Sequence, residues 1–420
     1  MDSGNSCDYS WVDLVFTVLG VCTFLFDLGA DLWVAAEFYL YGDYFWFGIV
    51  LSFVFVSSAL LQMFSWFWYK YDTKLENFNP QTTTETLLLA NNDNGGRCDR
   101  LKLVHVFQLG FLLRYVTAIE QGFHVWWKKR NEPGHAIYLT HDLSMLRLFE
   151  AFSESTPQLT LMLYIIIHNN KAETFQCVSI AACFISIAWM VLEYHRSLRA
   201  FLPEKNKLGY SSSVVYFLWN LLLIAPRVGA VALFTSIFPP YIGLHFLLLW
   251  AALLLWAWAQ HTDFMESGPG EWLYRTMVAL IWYFSWFNVA EGGTMGRSLI
   301  YHTFMAADSG ILLGTWYWYR DPLVTDHYVL PLLLALLASY LLGLLLKVTY
   351  YKLFHPKIWQ PVFRAGEDVP DNLVYRSLSP TDALPSVINK RMGALANSFY
   401  FSSSMPAGGK TNGNERNATL

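Results

Sequence analysis

The stretch Leu146 to Leu163, LRLFEAFSESTPQLTLML, limits what this chain can fold into more than any other. It is apolar enough for a membrane helix, yet it carries Arg147, Glu150, Glu154 and Gln158. Their spacing of three, four and four puts all four on one stripe of a helix. A charged residue at the centre of a bilayer costs roughly 2.5–3.5 kcal/mol on insertion scales. The stripe must therefore face protein or water, either as an internal salt-bridge ladder led by Arg147 and Glu150 or as the wall of a polar path.

Composition supports a membrane setting. Hydrophobic residues make up 55% of the chain and charged residues 14%, whereas a soluble protein carries about 25% charged residues. The 18 Trp and 24 Tyr suit interface belts. A net charge of −4 argues against nucleic acid as a partner. The opening MDSGNSCDYS lacks a basic n-region, so the first apolar run reads as a span, not a cleaved signal. The five cysteines are scattered, with no CxxC pair and no Cys/His cluster, so neither a disulfide framework nor a metal site is expected.

Apolar runs predict helices over 12–40, 45–69, 142–168, 175–199, 211–238, 241–260, 298–319 and 330–354. Two shorter, more polar stretches, 101–120 and 272–290, read as helices that enter the membrane partway and return, which is allowed only where protein or water shields them. The linker 70–100 reads as loop and 355–420 as a polar tail. The expected architecture is all-α and polytopic, with eight transmembrane and two half-membrane helices in two pseudo-symmetric halves, 1–204 and 205–354. Each half has five helices with a short one third, and Glu154 falls opposite Asp308. Loops 70–102 and 194–210 carry five and four Lys or Arg. By the positive-inside rule these loops and both termini are cytoplasmic.

Familiar catalytic signatures are missing. Gly409-Lys410-Thr411 resembles the end of a P-loop, but position 404 is Ser and no strand precedes it. No G-x-S-x-G or H-E-x-x-H occurs, so no enzyme chemistry and no cofactor is expected. Asn417-Ala418-Thr419 fits a glycosylation acceptor but falls on the cytoplasmic side. The membrane segments hold Asp13, Asp27, Asp31, Glu150, Glu154, Glu193 and Asp308 against Arg114, Arg147 and Arg227. Three Arg cannot neutralise seven acids, so some acids face water or a ligand. A zwitterionic lipid head, with a phosphate for Arg and an ammonium for the acids, suits such a mixed path. A solute or ion transporter is the alternative. Arg227 follows Pro226 mid-helix, which marks a kinked site needing a partner.

FLFDLGADLW (24–33), LQMFSWFWY (61–69), SMLRLFEAFSESTPQLTLML (144–163), YFLWNLLLIAPRVGAVALF (216–234) and WLYRTMVALIWYFSWFNVAEG (272–292) resemble the XK-related membrane proteins, specifically their apoptosis-activated phospholipid scramblases. The resemblance implies ATP-independent scrambling at the plasma membrane that exposes phosphatidylserine. It implies a polar path through Asp13, Asp27, Asp31, Arg114, Glu150, Glu154, Gln158, Glu193 and Arg227, with Trp46 as an outer gate. The founding XK protein implies a competing role as a non-catalytic scaffold. In the tail, Asp368-Val369-Pro370-Asp371 is similar to an executioner-caspase site, cut between Asp371 and Asn372. Ile388, Met392, Leu395 and Phe399 recur at helical spacing and predict a short helix that plugs the cytoplasmic side until the tail is cut. The resemblance also implies a single-span immunoglobulin-type partner, basigin or neuroplastin.

Overall fold

The computed structural model describes residues 11–73, 82–89, 96–128, 133–169, 174–201, 208–262, 264–289 and 294–354. The caspase motif and the tail helix lie outside the described residues. All regular structure among the described residues is helical. The order is α1 (Trp11–Leu40), α2 (Tyr44–Asp72), α3 (Thr83–Leu89), α4 (Gly96–Val106), α5 (Gly110–Lys128), α6 (Pro133–Glu150), a π-helical turn (Ala151–Ser155), α7 (Thr156–Asn169), α8 (Thr174–Phe201), α9 (Tyr210–Ile237), α10 (Pro239–Ala259), α11 (Gly268–Phe284), α12 (Thr294–Tyr319), α13 (Pro322–Thr349) and a second π turn (Tyr350–Phe354). Six of these helices are long and apolar enough to cross a membrane, or seven if the bent pair α4–α5 is one span. The chain is an all-α polytopic membrane protein.

Two expectations change here. The linker 70–100 is not all loop, since α3 and the start of α4 fall within it. Glu120 on α5 accepts from the backbone N–H groups of Thr83 and Thr84 at 2.7 and 3.1 Å, satisfying donors at the start of α3. The helix expected over 142–168 is three pieces, interrupted by the π turn.

A bilayer core offers no water to backbone groups, so an interrupted helix must be completed by side chains. The break between α4 and α5 bends the chain by 111°, and Gln108 takes φ of 63°. From α2, Gln62 Nε2 donates to the Gln108 carbonyl at 3.0 Å and Ser58 donates to its side chain at 2.7 Å. Gly110 follows because the backbone lies against Gln62: a Cβ there would stand 2.6 Å from Oε1. The second short helix, α11, ends inside the protein. Its last-turn carbonyls are met by Tyr301, which donates to Trp282 O at 2.7 Å, and by Arg227 Nε, which donates to Tyr283 O at 3.0 Å.

The hub is α9, which packs against α7 and α8 on one side and α10, α12 and α13 on the other. Small residues permit the close approach of α13: a Cβ on Gly343 would lie 2.8 Å from Leu223. Ser339 adds a hydrogen bond to the Leu222 carbonyl at 3.0 Å.

Arg114 binds α2, α5 and α6 together. Its guanidinium meets Asp142 at 3.1 Å, Ser65 Oγ at 2.9 Å and Ser65 O at 3.0 Å, and lies 3.9 Å from the centre of the Tyr69 ring. Arg114 and Asp142 are 2% and 1% exposed, so removing one partner leaves a charge without compensation. Breaking a buried pair of this kind costs about 3–5 kcal/mol. Arg114→Met is expected to lower the Tm of detergent-purified protein sharply, and Arg114→Met with Asp142→Leu to recover much of the loss. Equal losses in the single and double variants would contradict this account.

Candidate functional site: the groove between α1 and α8

The groove exists because α1 is held from one side. It forms a hairpin with α2, closed by Gly42 at φ of 82°, where Asp43 N–H reaches Phe38 O at 2.9 Å. It packs on α2 and α5 and scarcely approaches the backbone of α8. The resulting trough has α1 and α8 as walls and α6, the π turn and α7 as its floor.

Long polar side chains bridge the trough. Arg147 meets Glu150 at 2.6 Å, reaches Thr23 Oγ1 of α1 at 3.5 Å and lies 5.8 Å from the Phe24 ring centre. One turn further along, Ser155 reaches Asp27 at 3.5 Å. Asp31 faces Glu154 and Gln158. Towards the end where α1 begins, Asp13, Phe16, Trp189, Glu193 and Arg196 line a cavity of about 130 Å³, and Arg196 lies 5.8 Å from the Phe16 ring centre. At the opposite end the Trp46 ring stands 5.4 Å from Tyr164. Of the sequence-derived set, Asp13, Asp27, Asp31, Arg147, Glu150, Glu154, Gln158 and Glu193 thus come together along one trough, with Trp46 beyond the end opposite Asp13.

Three residues of that set lie elsewhere. Arg114 is enclosed in the cage with Asp142, because Ser65 and Tyr69 hold it on the α2 side of the bundle. Arg227 and Asp308 form a 2.5 Å pair between α9 and α12, joined by His245 at 3.1 Å from Asp308. Asp308 therefore occupies a different cluster from Glu154, its counterpart in the repeat reading. The salt-bridge reading of Arg147 with Glu150 is realised, but the pair also faces α1.

Pro157 explains the break in the floor. It has no N–H to give to Ser153 O, and its ring would strike that carbonyl in a regular α turn. The wide turn relieves this: Thr156 N–H bonds to Ala151 O, and its hydroxyl donates to the same carbonyl at 2.6 Å. The extra residue keeps Glu150 on the groove side while Glu154 and Gln158 meet Asp31. The missed signal was the Ser-Thr-Pro run inside an otherwise α-periodic stripe.

The family model for the XK-related proteins, described as XK-related protein, matches residues 15–356. The chain belongs to the XK-related family. It is similar to XK-related protein 8 of Tetraodon nigroviridis, with 54% identity over 95% of this chain and 99% of that one. XK-related protein 8 of Gasterosteus aculeatus is 53% identical over the same shares, 95% and 99%. XK-related protein 8 of Pan troglodytes is 44% identical over 92% of this chain and 94% of its own.

The wide turn in this family member makes a geometric prediction. Pro157→Ala restores a donor to Ser153 O and favours a regular α turn. One residue of α register is about 100°, so Glu154 would rotate relative to Arg147 and Glu150. With the five native cysteines replaced by Ala, Asp31→Cys and Glu154→Cys should be joined efficiently by a short bifunctional thiol reagent, and poorly once Pro157→Ala is added. Undiminished joining would show that Pro157 does not set the turn.

Proposed function

We propose that this XK-related protein is an ATP-independent phospholipid scramblase of the plasma membrane, with phosphatidylserine exposure on apoptotic cells as its outcome. The observation that supports this reading is the trough between α1 and α8. It carries many acidic side chains with Arg147 and Arg196 among them, and is walled by apolar rings. A head group with a phosphate and an ammonium finds partners at every turn, while its acyl chains stay in the bilayer. Basic groups at Arg196 and Arg147 attract the phosphate, and Asp27, Asp31, Glu150, Glu154 and Glu193 attract the amine.

The trough's middle is narrow in this arrangement. Arg147 bridges from the floor to Thr23, and Asp31 faces Glu154. A head group passes only if α1 moves away from the floor, which its one-sided packing permits. The tail from 355 on supplies the switch in this reading: an executioner caspase cuts after Asp371, and the segment with Ile388, Met392, Leu395 and Phe399 leaves. Cleavage turns an intramolecular contact of high effective concentration into a bimolecular one. Basigin or neuroplastin would carry the protein to the surface, with both termini in the cytoplasm.

Two experiments test this reading. In proteoliposomes with fluorescent lipid and a membrane-impermeant quencher, tail-cut protein should expose all labelled lipid. Tail-cut Asp31→Leu and Glu154→Leu, purified as folded protein, should expose only the outer leaflet's share. Full scrambling by both variants would remove the trough from the path. In apoptotic cells, Asp371→Ala should keep the full-length band and block phosphatidylserine exposure through this protein. A truncated band in that variant would place the cut elsewhere.

A further inference from the structure

A second lipid-facing cleft lies in the opposite half of the molecule. Helices α12 and α13 are consecutive, and both pack on α9, yet their backbones scarcely approach each other and are bridged by side chains. A cavity of about 280 Å³ occupies the gap between them. Its mouth is apolar and open to the bilayer, with Leu337 and Leu341 55% and 56% exposed. Its walls include Trp286 and Tyr301, and its polar lining includes His302, Ser309 and Arg227.

The charge around this cavity is unbalanced. Arg227 is answered by Asp308. Lys347, 7% exposed, has no carboxylate partner among the described residues. Its ammonium is held by neutral groups: Ser298 Oγ at 2.8 Å and His302 Nε2 at 2.6 Å. The Trp219 and Trp286 ring centres lie at 5.1 and 5.8 Å. No carboxylate among the described residues balances Lys347 when it is protonated, in a medium where unpaired charge is costly.

The Lys347 contact bears on the His302 tautomer. When Lys347 is protonated it has only donors, so Nε2 accepts and the ring proton of the neutral imidazole sits on Nδ1. Tyr340 takes the His302 carbonyl at 2.9 Å, holding that stretch of α12 against α13. His302 lines the cavity, and among the described residues its Nδ1–H has no partner. Arg227 Nη2, on a residue 5% exposed, is likewise buried without a partner among the described residues. The cavity thus offers the His302 Nδ1–H donor with Lys347 behind it, and its lining holds no carboxylate.

We propose that the cleft between α12 and α13 is a second lipid site, separate from the acidic trough, that holds a lipid with an anionic head. The chain lies between Leu337 and Leu341, and the anion rests on His302 Nδ1–H with Lys347 behind it. The trough is rich in carboxylates and suits a zwitterion in transit. This cleft has no carboxylate in its lining, which suits a resident acidic lipid. It ties α12 to α13 and so acts on the packing of the α9 hub.

The test uses full-length protein in mixed micelles, with retained lipid read by native mass spectrometry and Tm by intrinsic Trp fluorescence. The probes are dioleoylphosphatidic acid, dioleoylphosphatidylcholine, oleate and inorganic phosphate. The proposal expects phosphatidic acid, oleate or both to be retained and to raise Tm in a saturable way, with which acid does so naming the head group. Phosphatidylcholine should do neither. Lys347→Met should abolish retention, as should Leu337→Trp, which fills the mouth and leaves the cation untouched. Equal retention of phosphatidylcholine, or a Tm rise with inorganic phosphate alone, would overturn the proposal. So would undiminished retention in Leu337→Trp, whatever the folding yield of Lys347→Met.

Discussion

The absence of water in a bilayer core governs this molecule. Every interrupted helix has to be completed by protein, and every intramembrane charge by protein, water or a ligand. The two short helices show how this is done. The bend before α5 is completed by Gln62 and Ser58 from α2. The end of α11 is completed by Arg227 and Tyr301. Arg227 does this while pairing with Asp308, so one guanidinium serves a helix terminus and a carboxylate together. Arg114 plays a comparable part in the first half, joining Asp142 to the Ser65 backbone and side chain. The first cluster joins α2, α5 and α6, and the second joins α9, α11 and α12. Against that background, α1 is the element with a free side.

Much of this was legible in the sequence. Apolar runs marked most of the long helices within a few residues, and polarity marked the two short ones. The stripe Arg147, Glu150, Glu154 and Gln158 was visible because each charge sat in an apolar helix, and Asp27 and Asp31 were visible four apart on another. What periodicity could not show was partnership across the fold. Arg114 and Asp142 are 28 positions apart, and Arg227 and Asp308 are 81 apart. An intramembrane Arg reads the same in sequence whether it lines a path or closes a cage. Lys347 escaped notice for the opposite reason: a single cation near a helix end reads as one that snorkels to the interface. Burial by Trp219 and Trp286 prevents that here.

The two halves put charge to opposite uses. Around the trough, acids from α1 and α8 face acids and one Arg from the floor, and the surplus is negative. Around the α12–α13 cleft no carboxylate among the described residues balances Lys347 when it is protonated. The trough and the cleft therefore differ in the side chains that line them, carboxylates in the first and none in the second. Between them lies α9, which α13 approaches closely at its own Gly343 while α7 and α8 also pack on α9.

The π turn at Ala151–Ser155 has a consequence for engineering. Substitutions that raise helix propensity are the usual route to a more robust protein. In this floor helix the irregular turn sets the facing of Glu154, and its cause is the single residue Pro157. A screen for thermal robustness would favour replacing that residue, because a regular helix gains a hydrogen bond. The same replacement would turn the polar stripe out of register with α1. Hardiness and geometry thus pull against each other at one position, and a hardened variant should be judged by where Glu154 points before its melting temperature is admired.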